Sequence, residues 1–352
     1  MSDLTDVVAS LDPLFRKYAT RERVLAAEGD WDAELWHQLD ESGFTAIGVP
    51  EDEGGSGGDL AIACGVVRAA ARFTAPVPLA ESLILGSWLR SRCGLAHEPG
   101  PTAVAVVDRR VNYWATSKDL LIDIDLPQVA WGRMSKRVLV VILRADTTHI
   151  LDVPRDRFRV ECTQNLAGEP VDRLTATGLD PSSVPAVVVR GNLGEAIRQR
   201  GSLARTVMMS GAIDALIEMT CSYAREREQF GMPIARFQVV RHHLAALAAE
   251  SAVAGAAADG AVAAVERGAD LAAIAARVRV SQAAGTACRI AHQVHGAMGF
   301  TREHALHLVT RRLWAWRDEH GSQSDWELDL GRRLLTDGRG ALWAMATERE
   351  PA

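Results

Sequence analysis

The chain has 352 residues, of which 48% are hydrophobic and 24% charged, and a formal net charge of −6. At about 100–200 residues per domain, that is room for two domains or one composite unit with a sizeable core. A mildly acidic chain with no lysine- or arginine-rich block near either end is a poor match for nucleic acid or an anionic membrane, because both reward clustered positive charge.

The opening residues Met1 to Asp6 are acidic and no apolar run follows them, so no signal peptide is expected. A membrane span needs about 20 apolar residues. The longest candidate, 244–265, is interrupted by Glu250, Ser251, Gly255 and Asp259, so no span is expected either. Cys64, Cys93, Cys162, Cys221 and Cys288 are odd in number and widely spaced. They fit neither a disulfide framework nor a CxxC metal pattern, which points to a reducing cytoplasm.

Taken in chain order, the first elements are helical. Leu11, Leu14 and Phe15 recur at helical spacing, as do Leu35, Trp36 and Leu39. A glycine-rich loop covers 48–59, and further helical stretches start near Leu60 and run from Leu79 to Leu89. From about residue 101 the period changes. Val104 to Val107, Leu120 to Ile124, Val138 to Leu143 and Val187 to Val189 are short β-branched runs punctuated by proline, glycine and aspartate, which predicts strands. Beyond 193 the helical period returns. Leu203, Val207, Ser210 and Asp214 mark one stripe, Leu244, Leu247 and Ser251 another, and Ile274, Val278, Cys288 and Ala291 a third. Many alanines suit closely packed helices. The predicted fold is therefore α+β: an N-terminal helical domain over 1–99, a small middle β domain over 100–192 and a C-terminal four-helix bundle over 193–352.

Most motifs have a plain structural reading. The Gly54 to Gly58 cluster is neither GxGxxG nor a P-loop, holds no basic residue for phosphate, and reads as a turn. His292 with His295, and His304 with His307, have metal-ligand spacing, but no cysteine or carboxylate set accompanies them and no metal is expected. Two segments are more specific. Residues 223–238, from Tyr223 through Arg227, Gln229, Phe230, Gly231 and Pro233 to Phe237 and Gln238, read as a helix end, a turn at Phe230-Gly231 and a second helix with Pro233 near its first turn. Residues 293–301, Gln293-Val294-His295-Gly296-Ala297-Met298-Gly299-Phe300-Thr301, close a helix in small residues whose backbone could approach a ligand.

These two segments resemble the acyl-CoA dehydrogenase family, whose wording is "YAxxRxQFGxPIxxFQ" and "QxxGGxGFT". Gly48-Val49-Pro50-Glu51 with Gly54-Gly55 resembles its "GxPExxGG" loop. The three matches fall in the family's order across nearly the whole chain. The resemblance implies the acyl-CoA dehydrogenase fold and bound FAD, completed across a subunit interface. Arg227, Gln229 and Phe230, with Phe237 and Gln238, match flavin contacts, and Gln293, Gly296 and Ala297 match the adenosine end. An arginine suits pyrophosphate because its bonds to it are charge-assisted. The resemblance also implies an acyl-CoA thioester substrate, an electron-transfer flavoprotein or similar acceptor, and a homo- or hetero-oligomer with another acyl-CoA dehydrogenase subunit.

The family's base is a glutamate in an apolar pocket, where burial raises its pKa towards working pH. Here the position of the commonest subfamily falls on His320, followed by Gly321 and Ser322, with Asp318 and Glu319 alongside. The earlier-helix position of a second subfamily falls on Gly201. Glu319 and His320 are thus the candidate bases, and Ser322 matches a flavin contact. The middle region is short for the family and lacks its "TEPxxGSD" and "WITN" segments; Val129-Ala130-Trp131-Gly132 is the candidate to replace the latter. Such shortened members resemble the smaller subunits of actinobacterial heteromeric dehydrogenases, some acting on steroid side-chain thioesters. Four readings stay open: a dehydrogenase with its own unusual base, a non-catalytic partner of a complete subunit, a flavin-free assembly protein, and a flavin oxidase or monooxygenase relative.

Overall fold

The computed structural model describes residues 2–107, 111–115 and 120–337. The end of the expected third domain, 338–352, lies outside the described residues. Packing divides the chain into two units, 1–66 with 75–201 and 67–74 with 202–352.

The first unit opens with three helices, α1 (Ser2–Tyr18), α2 (Arg21–Ala26) and α3 (Ala33–Glu41), and the start of α4 (Leu60–Arg72). Asp32 caps α3 by accepting from the Leu35 amide at 2.9 Å and is gripped by Arg23 at 2.5 Å. A π-helix, Ala80–Ser87, runs directly into α5 (Trp88–Cys93). The strands follow: β1 (Thr102–Val107), β2 (Val111–Ala115), β3 (Leu120–Ala130), β4 (Arg137–Leu143), β5 (Thr147–Pro154), β6 (Arg159–Glu161), β7 (Val171–Leu179) and β8 (Ala186–Arg190). They form two sheets, ordered β1-β4-β5-β8 and β2-β3-β7-β6, antiparallel except for the parallel β1–β4 pair.

Why the helices and the sheet share a unit is legible in β4. Val138, Val140 and Ile142 enter the core between the two sheets with Ile122, Ile124 and Leu174. Leu139 and Val141, on the other face, pack with Leu85, Leu89 and Ile197. A strand buried on both faces reads as a continuous apolar run rather than an alternation. The expected boundary at residue 99 therefore falls within one packed core. The four predicted strands all form. Strands β5 and β7 were not predicted, because their inward positions include buried polar groups, Asp152 at 2% exposed and Asp172 at 0%.

In the second unit the long helices are α6 (Gly194–Glu226), which enters at residue 202, α7 (Gln238–Arg267) and α8 (Asp270–His295), followed by α9 (Leu306–Asp318) and α10 (Gln323–Asp337). The end of α4 crosses α6 closely: a Cβ on Gly211 would lie 2.2 Å from the Arg68 carbonyl oxygen, so only glycine fits. Arg68 then reaches Asp214 on α6 at 3.0 Å and Asp259 on α7 at 3.2 Å. Helix α7 is long and apolar enough by composition to match a membrane span, contrary to the reading of its interruptions as disqualifying. Those interruptions serve the bundle: Glu250 pairs with Arg279 on α8 at 2.7 Å, and Ser251 donates to Asp214 at 2.7 Å. Pro233 caps a single 3₁₀ turn, Ile234–Arg236, rather than opening the long helix. It lies in β10 (Met232–Pro233), which pairs with β9 (Glu228–Gln229), and α7 starts only at Gln238.

Asp152 sits between two arginines, accepting from Arg90 at 2.8 Å and from Arg137 at 2.8 Å. Breaking such a pair leaves buried charge without compensation, at a cost of about 3–5 kcal/mol. Asp152→Asn is expected to lower the urea midpoint by that amount of stability, and an unchanged midpoint would show that the network contributes little.

Candidate active site

The 227–238 segment is a hairpin between α6 and α7. The Arg227 amide bonds back to Tyr223 at 2.8 Å, the Ile234 amide bonds to the Arg227 carbonyl at 2.8 Å, and Phe230 and Gly231 turn the chain. Both turn residues have positive φ, 52° and 78°. That geometry is ordinary for Gly231 and strained for a phenylalanine. Phe230 is also 90% exposed, its ring edge-on to that of Phe237 at 6.0 Å. Arg227, Gln229 and Gln238 are exposed beside it. An exposed aromatic held in a strained conformation presents itself outward.

Gln293, Gly296 and Ala297 lie at the end of α8, also exposed. Gly296 adopts φ 57° and ψ −139°, and nothing lies within 4 Å of where its Cβ would be. The backbone there is left bare. An aromatic cluster joins this turn to the hairpin. The Tyr223 ring stacks on His295 at 4.4 Å and donates its hydroxyl to the His295 carbonyl at 3.3 Å; His304 packs against His295 at 4.6 Å. The two motif groups are thus brought to one end of the bundle by Tyr223, His295 and His304, and the histidines that have metal-ligand spacing serve here as packed rings. His292 and His307 bond to Thr310 and the His304 carbonyl, respectively.

Glu319, His320 and Ser322 form a second group, in the turn between α9 and α10. Arg205 on α6 pairs with Glu319 at 2.6 Å, its side chain 2% exposed against 23% for the glutamate. Arg277 on α8, fully buried, donates through Nη2 to the carbonyls of Trp316, Arg317 and Glu319 at 3.0–3.1 Å and of Gly321 at 3.3 Å. These include carbonyls that α9 leaves without partners at its end. Burial pushes Arg277 down to about 9, with Arg205 adding to the effect. His320 has φ 53°, and its imidazole is pushed down to about 3 by burial first and then by Arg205 and Arg277. The residue keeps partial solvent contact, but the surroundings hold the ring neutral at working pH. The Ser322 hydroxyl caps α10: it donates to Asp325 at 2.7 Å and accepts from the Asp325 amide at 3.2 Å. Gly321, at φ 102°, leaves room for Trp326, whose indole donates to the His320 carbonyl at 3.2 Å.

The two groups do not meet within one chain. Eighteen residues of α6 separate Arg205 from Tyr223, and eighteen of α8 separate Arg277 from His295. At 1.5 Å per residue both separations are about 27 Å. A charge set inside an apolar helical stripe, as Arg277 is between Ile274 and Val278, is the signal that would have found the second cluster. Trp131, the expected replacement wall, is 5% exposed at the end of β3, where its amide donates to Pro170 at 2.8 Å. The Asn165–Pro170 turn is closed by Asn165 Oδ1, which accepts from the Ala167 and Glu169 amides, and is tied to Gly29 through the Gly168 carbonyl at 2.7 Å. No group of three metal-ligating side chains converges among the described residues.

The chain matches the family model of the acyl-CoA dehydrogenase N-terminal domain over residues 11–92 and that of the acyl-CoA dehydrogenase C-terminal domain over 198–323. It is similar to acyl-CoA dehydrogenase IpdE2 of Mycobacterium tuberculosis, at 28% identity over 356 residues, covering 97% of this chain and 96% of the relative. Among solved structures it is similar to the ChsE4-ChsE5 complex from Mycobacterium tuberculosis, with a TM-score of 0.82, 22% identity and 96% and 98% of the two chains covered. It is also similar to butyryl-CoA dehydrogenase from Megasphaera elsdenii, with a TM-score of 0.84, 16% identity and 94% and 98% covered. At those identities the likeness is one of fold. The chain belongs to the acyl-CoA dehydrogenase family, a family of oxidoreductases, and has the α+β fold expected of it.

His295 supplies a pH test. Its ring is buried, Nδ1 bonds to the Ala291 carbonyl at 2.8 Å, and burial pushes it down to about 4. Above about pH 6.5 the imidazole is neutral in both folded and unfolded chains, and its contribution is fully present. As the pH falls from there to about 4, the unfolded chain takes up a proton that the folded chain refuses. Stability is therefore lost on acidification, on the order of 3 kcal/mol from this group. His295→Phe, which keeps a ring against Tyr223, is expected to flatten the fall in urea midpoint between pH 7 and 4.5. An equally steep fall in the variant would remove His295 from the acid response.

Proposed function

We propose that this chain is a subunit of a heteromeric, FAD-dependent acyl-CoA dehydrogenase, completing a flavin site while a partner chain supplies the base for α,β-desaturation of an acyl-CoA thioester. The observation that carries this reading is the state of the α9–α10 turn. Glu319 is committed to Arg205. An imidazole whose conjugate acid has a pKa of about 3 is a weak base at neutral pH. Neither group resembles a carboxylate poised in an apolar pocket.

Arg227, Gln229, Phe230, Phe237 and Gln238, with Gln293, Gly296 and Ala297, are the residues that would hold FAD. Their chemistry fits: a guanidinium for pyrophosphate, an outward aromatic and a bare backbone turn at Gly296. FAD, when bound, would supply the hydride-accepting chemistry of the desaturation. The distance of about 27 Å between this group and the α9–α10 turn supports a site shared between chains. The relation to a solved two-protein complex, ChsE4-ChsE5, supports a hetero-oligomer in the same way. An electron-transfer flavoprotein or similar acceptor, and a cytoplasmic setting suited to five free thiols, belong to the same reading.

The second reading, a chain with its own base, keeps one observation: Glu319 is 23% exposed and so retains some access. Visible absorption under anaerobic conditions separates the two. Expressed alone, the chain is expected to show no substrate-dependent flavin bleaching; with a complete dehydrogenase subunit it is expected to bleach on addition of acyl-CoA. Bleaching by the chain alone, abolished in Glu319→Gln, would sink the partner reading. Arg227→Ala is expected to lower flavin content severalfold, and an unchanged flavin-to-protein ratio would remove the hairpin from the site.

A further inference from the structure

A second feature lies wholly within the first unit. An open cleft of about 270 Å³ is bounded by α4, the π-helix, α5 and the first turns of α6. This is just under the roughly 300–1,000 Å³ of ordinary small-molecule sites. Its floor is apolar, made by Leu60, Ala63 and Leu83. Its wall is aromatic and cationic. Trp88, Ser91 and Arg92 stand on one face of α5, at the spacing that makes helical neighbours. The Arg200 guanidinium lies over the Trp88 ring, 5.0 Å from its centre.

The charge balance in the cleft favours an anion. Asp59 is the one carboxylate in the lining, and its Oδ1 is engaged at the start of α4, accepting from the Ile62 amide at 2.9 Å. Two arginines, Arg92 and Arg200, line the same cleft. The segment leading into α5 is π-helical over eight residues, and π-helical turns are rare and concentrate at functional sites. A guanidinium fork matches a carboxylate in two parallel bonds, and an arginine stacked on an aromatic is already ordered for such a contact. The floor and size select a short hydrocarbon body behind the anionic group.

We propose that this cleft is a carboxylate-binding subsite, taking a compact organic acid with Arg92 and Arg200 on the carboxylate and Trp88, Leu60 and Leu83 against its body. The acid is either a free dicarboxylate or the distal carboxyl group of an acyl-CoA thioester. The thioester form rests on the function proposed above; the free-acid form does not. Arg200 and Arg92 select for the charge, so an uncharged acyl end of equal length gains nothing from them.

Calorimetric titration of the full chain, with whatever subunit copurifies, tests this in carboxylate-free buffer. The probes are adipate, adipoyl-CoA and hexanoyl-CoA, and the proteins are wild type, Arg92→Gln and Arg200→Gln, with circular dichroism checking the fold of each variant. If the substrate carries the acid, adipoyl-CoA binds at least tenfold more tightly than hexanoyl-CoA, and both variants lose that preference while keeping their affinity for hexanoyl-CoA. If the acid is free, adipate binds wild type alone and the two thioesters are indistinguishable. Adipate binding that depends on the arginines, in a chain that binds no thioester, would uphold the cleft and defeat the dehydrogenase reading. Titrations that do not distinguish wild type from either variant with any probe would overturn the inference.

Discussion

The Arg277 guanidinium, fully buried in α8, holds four main-chain carbonyls around the end of α9 and the following turn. The conformation of that turn depends on it. With Arg277 in place, α9 ends with its carbonyls satisfied, His320 takes a left-handed conformation, and Trp326 closes over Gly321. Arg205 adds a second buried positive charge to the same few ångströms. Two buried cations demand a counter-charge, because leaving them unpaired is far more costly than forming the pair. Glu319 provides it, while burial first, and then the two cations, keep His320 neutral. The electrostatics that stabilise the turn are the opposite of those that would raise a carboxylate's pKa and prepare it as a base.

The same two helices carry a different chemistry at their other ends. There the charges are outward and the interior is aromatic, with Tyr223 stacked on His295 and His304 edge-on to it, beside an exposed hairpin and a glycine turn. A rigid helix fixes the separation of its ends, so nothing in the bundle can bring Arg227 near His320. The chain thus carries two separate groups, one towards each end of these helices.

In the first unit a strand plays the organising part. Because β4 is apolar on both faces, the sandwich and the helices preceding it share one core, with Leu139 and Val141 facing Leu85 and Leu89. This packing holds the π-helix and α5 in place, and with them the Trp88 and Arg92 wall of the cleft. The buried Arg90–Asp152–Arg137 set ties α5 to β4 and β5 and fixes the same face from beneath.

Much of this was legible in the residues themselves. Periodicity located the long helices and four strands, because 3.6- and 2-residue repeats survive in any sequence that buries one face. The hairpin and glycine-turn motifs pointed to the family through their residue pattern, and Gly231 and Gly296 take the positive φ that glycine adopts readily. Strands β5 and β7 were hidden because Asp152 and Asp172 look like surface positions until Arg90, Arg137 and Arg133 arrive from elsewhere in the chain. The candidate bases could be named by counting from Phe300, but their state could not. Whether Glu319 is a poised base or an ion-pair partner depends on Arg205, 114 positions away. Local sequence thus determined which backbone each segment adopts, since those preferences act over a few residues. The tertiary structure alone decided what the charged groups do, because pairing and burial depend on distances that only folding sets.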